Sequence, residues 1–186
     1  MITEVRKSVY NRIIEQISDS INIVVQNIAN DTRFETDAGY QGSWKQRYPS
    51  IKDLDVLTAT HVDDYLPTSI EYPERYPAVA FYIDAAEPSP AMDDSECFLG
   101  RLGYELYVQG ENFKMAQREL FEIADALRSI ILHDKSVGVI NGLGGLLDQI
   151  QSLGFSDFYV DQIDKRQFIV GARFSFMIAF REDYNR

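Results

Sequence analysis

A histidine and carboxylates meet at His61-Val62-Asp63-Asp64, where one imidazole and two carboxylates fall within four residues. That is part of a donor set for a divalent cation, but a working site needs three or more converging ligands. The other histidine, His133, lies far along the chain with nothing to bring it near, so a solvated, helix-capping cluster is the plainer reading. Asp93-Asp94-Ser95-Glu96 offers paired carboxylates for acid/base work if buried. They fall in a loop between two strand patterns, where ionised, exposed side chains are expected. Asn141-Gly142-Leu143-Gly144-Gly145 invites a phosphate cradle, because glycines let backbone amides approach an anion at a helix start. No Lys-Ser or Lys-Thr follows, the spacing is not G-x-G-x-x-G, and no parallel strand-helix-strand unit surrounds it, so a flexible connector is expected. Cys97 has no histidine nearby in sequence, and no G-x-S-x-G elbow is present. No catalytic residue, cofactor or metal ligand is therefore expected, and an enzyme is not.

The composition narrows the class of partner. Asp and Glu number 29 against 18 Lys and Arg, for a net charge of −11 and a pI near 4.6. A chain so acidic repels phosphate backbones. At 186 residues, with 45% hydrophobic and 12% aromatic content, it reads as one ordinary globular domain. A single cysteine forms no internal disulfide, which suits a reducing cytoplasm. The opening MITEVRKSVY has early charges and no apolar run after them, and no stretch reaches bilayer length. A soluble, unexported chain is the expectation.

Several elements must carry these residues. From Thr3 to about Asn30, Val5, Val9, Ile13, Ile17, Ile21, Val24, Val25 and Ile28 recur every three or four positions, which predicts a long amphipathic helix with Thr3 as its cap. Residues 31–76, broken by Gly39, Gly42, Pro49, Pro67 and Pro73 and scattered with aromatics such as Trp44, Tyr48 and Tyr72, read as a long structured loop. Tyr76-Pro77 then opens a strand over Ala78–Asp84, and a second strand alternates from Arg101 to Gln109, making a hairpin with a long tip at residues 85–98. Gly110 ends it, and Asn112 caps a second helix whose apolar face is Met115, Leu120, Ile123, Ala124, Leu127, Ile130 and Ile131, ending near His133. Residues 137–154 fit a strand and turn, Phe155–Ile163 a strand, and Asp164-Lys165-Arg166 a turn. From Gln167 to Arg181 the chain alternates almost without fault, with Phe168, Val170, Ala172, Phe174, Phe176, Ile178 and Phe180 on one face. Its other face, with Ile169, Gly171, Arg173, Ser175, Met177, Ala179 and Arg181, is mixed and expected to meet solvent or a partner. The class is α+β: a single domain, residues 1–186, in which two amphipathic helices pack on one face of an antiparallel sheet. It divides into a helix (1–30), a loop insertion (31–76) and a ββαβββ core (77–186).

The N-terminal amphipathic helix, the strand opened by Tyr76-Pro77-Ala78-Val79, the hairpin reaching Gly103-Tyr104-Glu105-Leu106-Tyr107-Val108, the helix with Ala124-Asp125-Ala126-Leu127-Arg128 and the closing alternating strand together resemble the tail-terminator and tail-completion (neck) proteins of tailed bacteriophages. The resemblance implies a structural virion protein, assembled in the host cytoplasm, that forms a homohexameric ring. Such a ring caps the tail tube and joins it to the head-side connector or neck protein, and DNA passes through without specific binding or any membrane contact. Residues 31–76 exceed a minimal member of the family and are available for an extra contact with a neighbour, sheath or connector. On this view Glu87, Asp93, Asp94 and Glu96 would line a DNA-repelling channel, and Arg173 and Arg181 would meet acidic groups of the next subunit. A tail-tube or sheath component of a contractile machine shares the sheet and the acidity but would polymerise into open tubes. A small-molecule-binding module or enzyme would need a pocket with converging polar groups.

Overall fold

The computed structural model of the protein describes residues 4–30, 44–57, 73–88, 97–133, 147–164 and 167–181. In chain order these form α1 (Glu4–Asn30), α2 (Trp44–Arg47), a 3-10 turn (Pro49–Ile51), β1 (Asp55–Val56), β2 (Ala78–Pro88), β3 (Cys97–Gly110), α3 (Phe113–His133), β4 (Leu147–Asp164) and β5 (Gln167–Arg181). The strands make one sheet in the order β1-β2-β3-β5-β4, and α1 and α3 bury their apolar stripes on one face of it. The expected α+β class is what forms. One detail differs: β1 runs parallel to β2, so the sheet is mixed, while every other pairing is antiparallel.

The core follows from two periodicities. In α1 the stripe Val9, Ile13, Ile17, Ile21, Val24 and Ile28 is buried, joined by Tyr10 and Ile14 one position along. In the strands Val79, Phe81, Ile83, Leu102, Tyr104, Leu106, Val108, Val170, Ala172, Phe176, Ile178 and Phe180 point to the same layer. Burying each large aliphatic or aromatic side chain there contributes roughly 1.5–3 kcal/mol. The Tyr10 ring meets Phe180 edge-on, centroids 5.4 Å apart, which ties α1 to the closing strand.

Asn112 caps α3 as its position suggests: its Oδ1 accepts from the backbone N–H of Lys114 at 2.9 Å and of Met115 at 3.4 Å. The apolar face of α3 needs one correction. Met115 is 72% exposed and Ala116 takes its place against the sheet, because the stripe through Leu120, Ile123, Ala124, Leu127 and Ile131 reaches 116, not 115, one turn back.

The segment expected to be a long loop holds regular structure in its described part. Backbone bonds from Asp55 N to Pro77 O (2.8 Å) and from Leu57 N to Val79 O (2.9 Å) seat β1 on β2. Tyr48, Ile51 and Leu54 are buried, Trp44 packs on the same core, and the Arg47 guanidinium lies 4.2 Å from the Trp44 ring centroid. The hairpin strands are longer than expected, which leaves only residues 89–96 between them. Glu87 accordingly stands within β2, opposite Leu99. Asp93, Asp94 and Glu96 lie outside the described residues, as do His61, Asp63, Asp64 and the run Asn141–Gly145.

Candidate functional site

The second face of the sheet, on which no described helix lies, carries three cross-strand rows built by register alone. β3 pairs with β5 so that Glu105 faces Arg173, Gly103 faces Ser175 and Tyr107 faces Gly171. The outer pairings add Asp157 and Tyr159 from β4 opposite Arg173 and Gly171, and Tyr82 from β2 opposite Gly103. The middle row is thus Glu105, Arg173 and Asp157, flanked on each side by a glycine with a tyrosine beside it.

Both glycines are required by those tyrosines. A β-carbon at Gly103 would fall inside the Tyr82 ring, and one at Gly171 inside the Tyr159 ring. The rings therefore lie flat over the neighbouring strand and screen the middle row. Glu105 is 1% exposed as a result, and a carboxylate that deep must be paired. The Arg173 Nε–H donates to Glu105 Oε1, and the Tyr107 hydroxyl donates to Glu105 Oε2 at 2.6 Å. Asp157 Oδ2 stands 3.9 Å from Arg173 Nη1, with its own side chain 61% exposed.

Burial pushes the Tyr107 phenol far above its usual range, and hydrogen bonds with Glu105 and Tyr159 raise it further. Burial works against the Arg173 cation, but its hydrogen bond to Glu105 and the charge of Glu105 reverse that and leave it raised, with Tyr82 and Asp157 adding. A phenol held neutral and a guanidinium held charged have no role as proton donors or acceptors near neutral pH. The arrangement fixes strand register and holds charge in place.

Arg173, expected at a subunit boundary, is thus committed within its own chain, with a side chain 39% exposed. Arg181 ends β5 opposite Cys97. The outer face of β5 is also drier than its mixed composition suggests: Ile169, Ala179 and Ser175 are buried, and Met177 at 40% is its exposed apolar residue. Cys97 is buried too and carries no disulfide. The sequence contained Glu105 and Arg173, but their partnership depends on a register no local pattern specifies.

A second feature lies between α3 and β4. Phe121 stacks on Phe158 (6.3 Å, 5°) and meets Phe155 and Phe174 edge-on, while Phe155 is 51% and Phe121 37% exposed. Beside it a cleft of about 390 Å³ has Tyr104, Phe155, Phe174 and Phe176 as walls and Asp125 and Arg128 among its lining. The Tyr104 hydroxyl in that lining donates to Ala124 O at 3.2 Å, and burial raises that phenol, Asp125 adding to the rise and Arg128 opposing it.

Among the described residues, no group of three or more His, Cys, Asp or Glu could hold a metal ion, and no helix is long and apolar enough to cross a membrane. No family model matches the chain, and no curated protein matches it.

Proposed function

We propose that the protein is a structural subunit of a phage tail, a tail terminator whose copies close into a ring that caps the tail tube and meets the head-side connector. The observation that carries this reading is β4. Among the described residues it is the last strand of the sheet, 18 residues long, and every side chain described from Phe155 to Ile163 is exposed or half-exposed. Phe155 (51%), Val160 (44%) and Ile163 (53%) place apolar surface along that margin. A long, greasy sheet margin of this kind is a liability in a protein that stays alone and an asset in one that assembles. The titratable cluster on the sheet is locked into ion pairs and hydrogen bonds, which suits a scaffold rather than a reaction centre.

Net charge supports the passage of DNA without binding. A subunit at −11 presents a repelling surface to phosphate wherever it lines a channel. Reversing Glu87, Asp93, Asp94 and Glu96 to Lys makes assembled protein retain DNA in a filter-binding assay if that tip faces the channel. Unchanged retention removes the tip from the channel. Electron microscopy of the purified protein tests the reading as a whole: closed rings are expected, and open tubes favour a tube or sheath component instead.

A further inference from the structure

We infer that α1 of one copy seats in the furrow between α3 and β4 of the next, with Ile23 against Phe121; this rests on the ring reading above and names the two surfaces that meet in it. Packed helices stand about 10 Å apart and strands about 4.8 Å apart, so two helices cover about four strands. The sheet has five, with α1 packed on β1 and β2 and α3 on β3, β5 and β4. β4 is the strand left short of cover. Its helix-side residues Phe155 (51%) and Val160 (44%) are exposed and Phe158 is half-buried, whereas Ala172 and Val170, opposite Phe158 and Val160 on β5, are fully buried. Phe121 walls this shelf, its ring stacked on Phe158 and edge-on to Phe155.

A ring joins two different patches of the same chain. Of the large apolar side chains exposed among the described residues, Ile23, at 51%, alone belongs to the elements at the β1–β2 end of the sheet, away from β4. Exposed Glu15 and Asp19 precede it at steps of four on the same side of α1, an acidic ridge that ends in an apolar knob. The receiving helix has the opposite sign. Lys114, Phe121 and Arg128, all exposed, recur at steps of seven, about two turns, so they run in one line along α3. Among the described residues no ion pair engages Glu15, Lys114 or Arg128. In a chain of net charge −11, that basic line is where the acidic ridge of a second copy meets attraction instead of repulsion. With Ile23 on Phe121, a parallel α1 puts Glu15, about 12 Å back along its axis, beside Lys114, about 10.5 Å back along α3, and Asp19 beside Gln117. An antiparallel α1 would set Asp19 against Asp125. Like charges therefore favour the parallel seating.

Sedimentation of the full chain over a dilution series, with thermal unfolding alongside, tests the seat. Glu15→Lys and Lys114→Glu are each expected to weaken association about tenfold or more without lowering the unfolding temperature, and the two together to restore most of it. Ile23→Asp should weaken it as much. Restoration by Arg128→Glu in place of Lys114→Glu would support the same seat with α1 reversed. If the unaltered chain assembles and neither Glu15→Lys nor Ile23→Asp weakens it, or if neither paired reversal restores it, the seat is overturned and the ring stands. An unaltered chain that stays monomeric removes both.

Discussion

Glu105 on β3 and Arg173 on β5 stand directly opposite each other on the face of the sheet away from the helices, and the guanidinium Nε donates to the carboxylate Oε1. The two partners are unequal: Glu105 is almost fully buried, while the Arg173 side chain is 39% exposed. Removing either leaves the other in a different predicament. The charge-removing Glu105→Gln leaves a half-exposed cation that water can reach and that still has Asp157 3.9 Å away. Arg173→Met strands a buried carboxylate. The second is the costlier change, by about 3 kcal/mol or more against about 1–2 kcal/mol for the first. Chemical denaturation of both variants measures the ordering, and equal costs would contradict it.

Gly171 pairs across to Tyr159, whose ring occupies the space a β-carbon would need. Gly→Ala in a strand ordinarily stabilises by about 0.4–1 kcal/mol through the unfolded chain where the backbone allows it. Here Gly171→Ala is expected to destabilise by about 1–3 kcal/mol through overpacking. Adding Tyr159→Ala should remove that penalty, so the double variant is no less stable than Tyr159→Ala alone. Additive costs in the two-variant cycle would show that the ring is not what excludes the side chain.

The cap at Asn112 is a local, independent device. Asn112→Ala releases the N–H groups of Lys114 and Met115 and should cost about 1 kcal/mol, with Asn112→Asp close to neutral. Thermal unfolding of the two variants distinguishes a capping role from a loop contact, for which Asp would be as damaging as Ala.

Burial raises the Glu119 carboxyl above its ordinary value of 4.5, and the charges of Glu122 and Asp53 add to this while Lys52 opposes it. A group raised on folding contributes stability that is fully present below its unfolded value and lost as the pH climbs through its folded one. At pH 7 the ionised side chain is therefore a small cost. Glu119→Gln should raise Tm at pH 7 and leave it unchanged near pH 3, as read by calorimetry. An equal shift at both pH values would mean that the substitution acts through packing.

The elements legible in the sequence are those whose pattern is unbroken. β5 spans Gln167–Arg181 as its alternation predicts, because each residue from Phe168 to Arg181 pairs with β3 without a shift. α1 and α3 follow from their stripes and, for α3, from the cap. β4 was only half visible: the expected Phe155–Ile163 is the part nearest regular, whereas bulges at Leu147/Gln149 and Ser152/Gly154 destroy the alternation before it. Gly154, with φ at +91°, sits at one of those shifts. The connector expected at Asn141–Gly145 lies outside the described residues. α2, the 3-10 turn and β1 are shorter than any periodic window, so their segment read as a loop. Glu105, Arg173 and Asp157 were visible as charges only. What brings them together is the pairing of three strands separated in sequence, and no local spacing encodes it.

Arg181, the other arginine expected to face a neighbour, has its place at the end of β5 and offers a cleaner probe than Arg173, whose removal disturbs Glu105. Arg181→Ala should weaken association of the subunits severalfold with little change in unfolding temperature, as followed by sedimentation at decreasing protein concentration. An unchanged association constant would take Arg181 out of the contact.

Native mass spectrometry of the purified full chain tests the proposed function most directly. A closed assembly of six copies, with no series of larger species, is the result that a ring-forming terminator predicts. A monomer at micromolar concentration, or an open ladder of ever larger polymers, would contradict it.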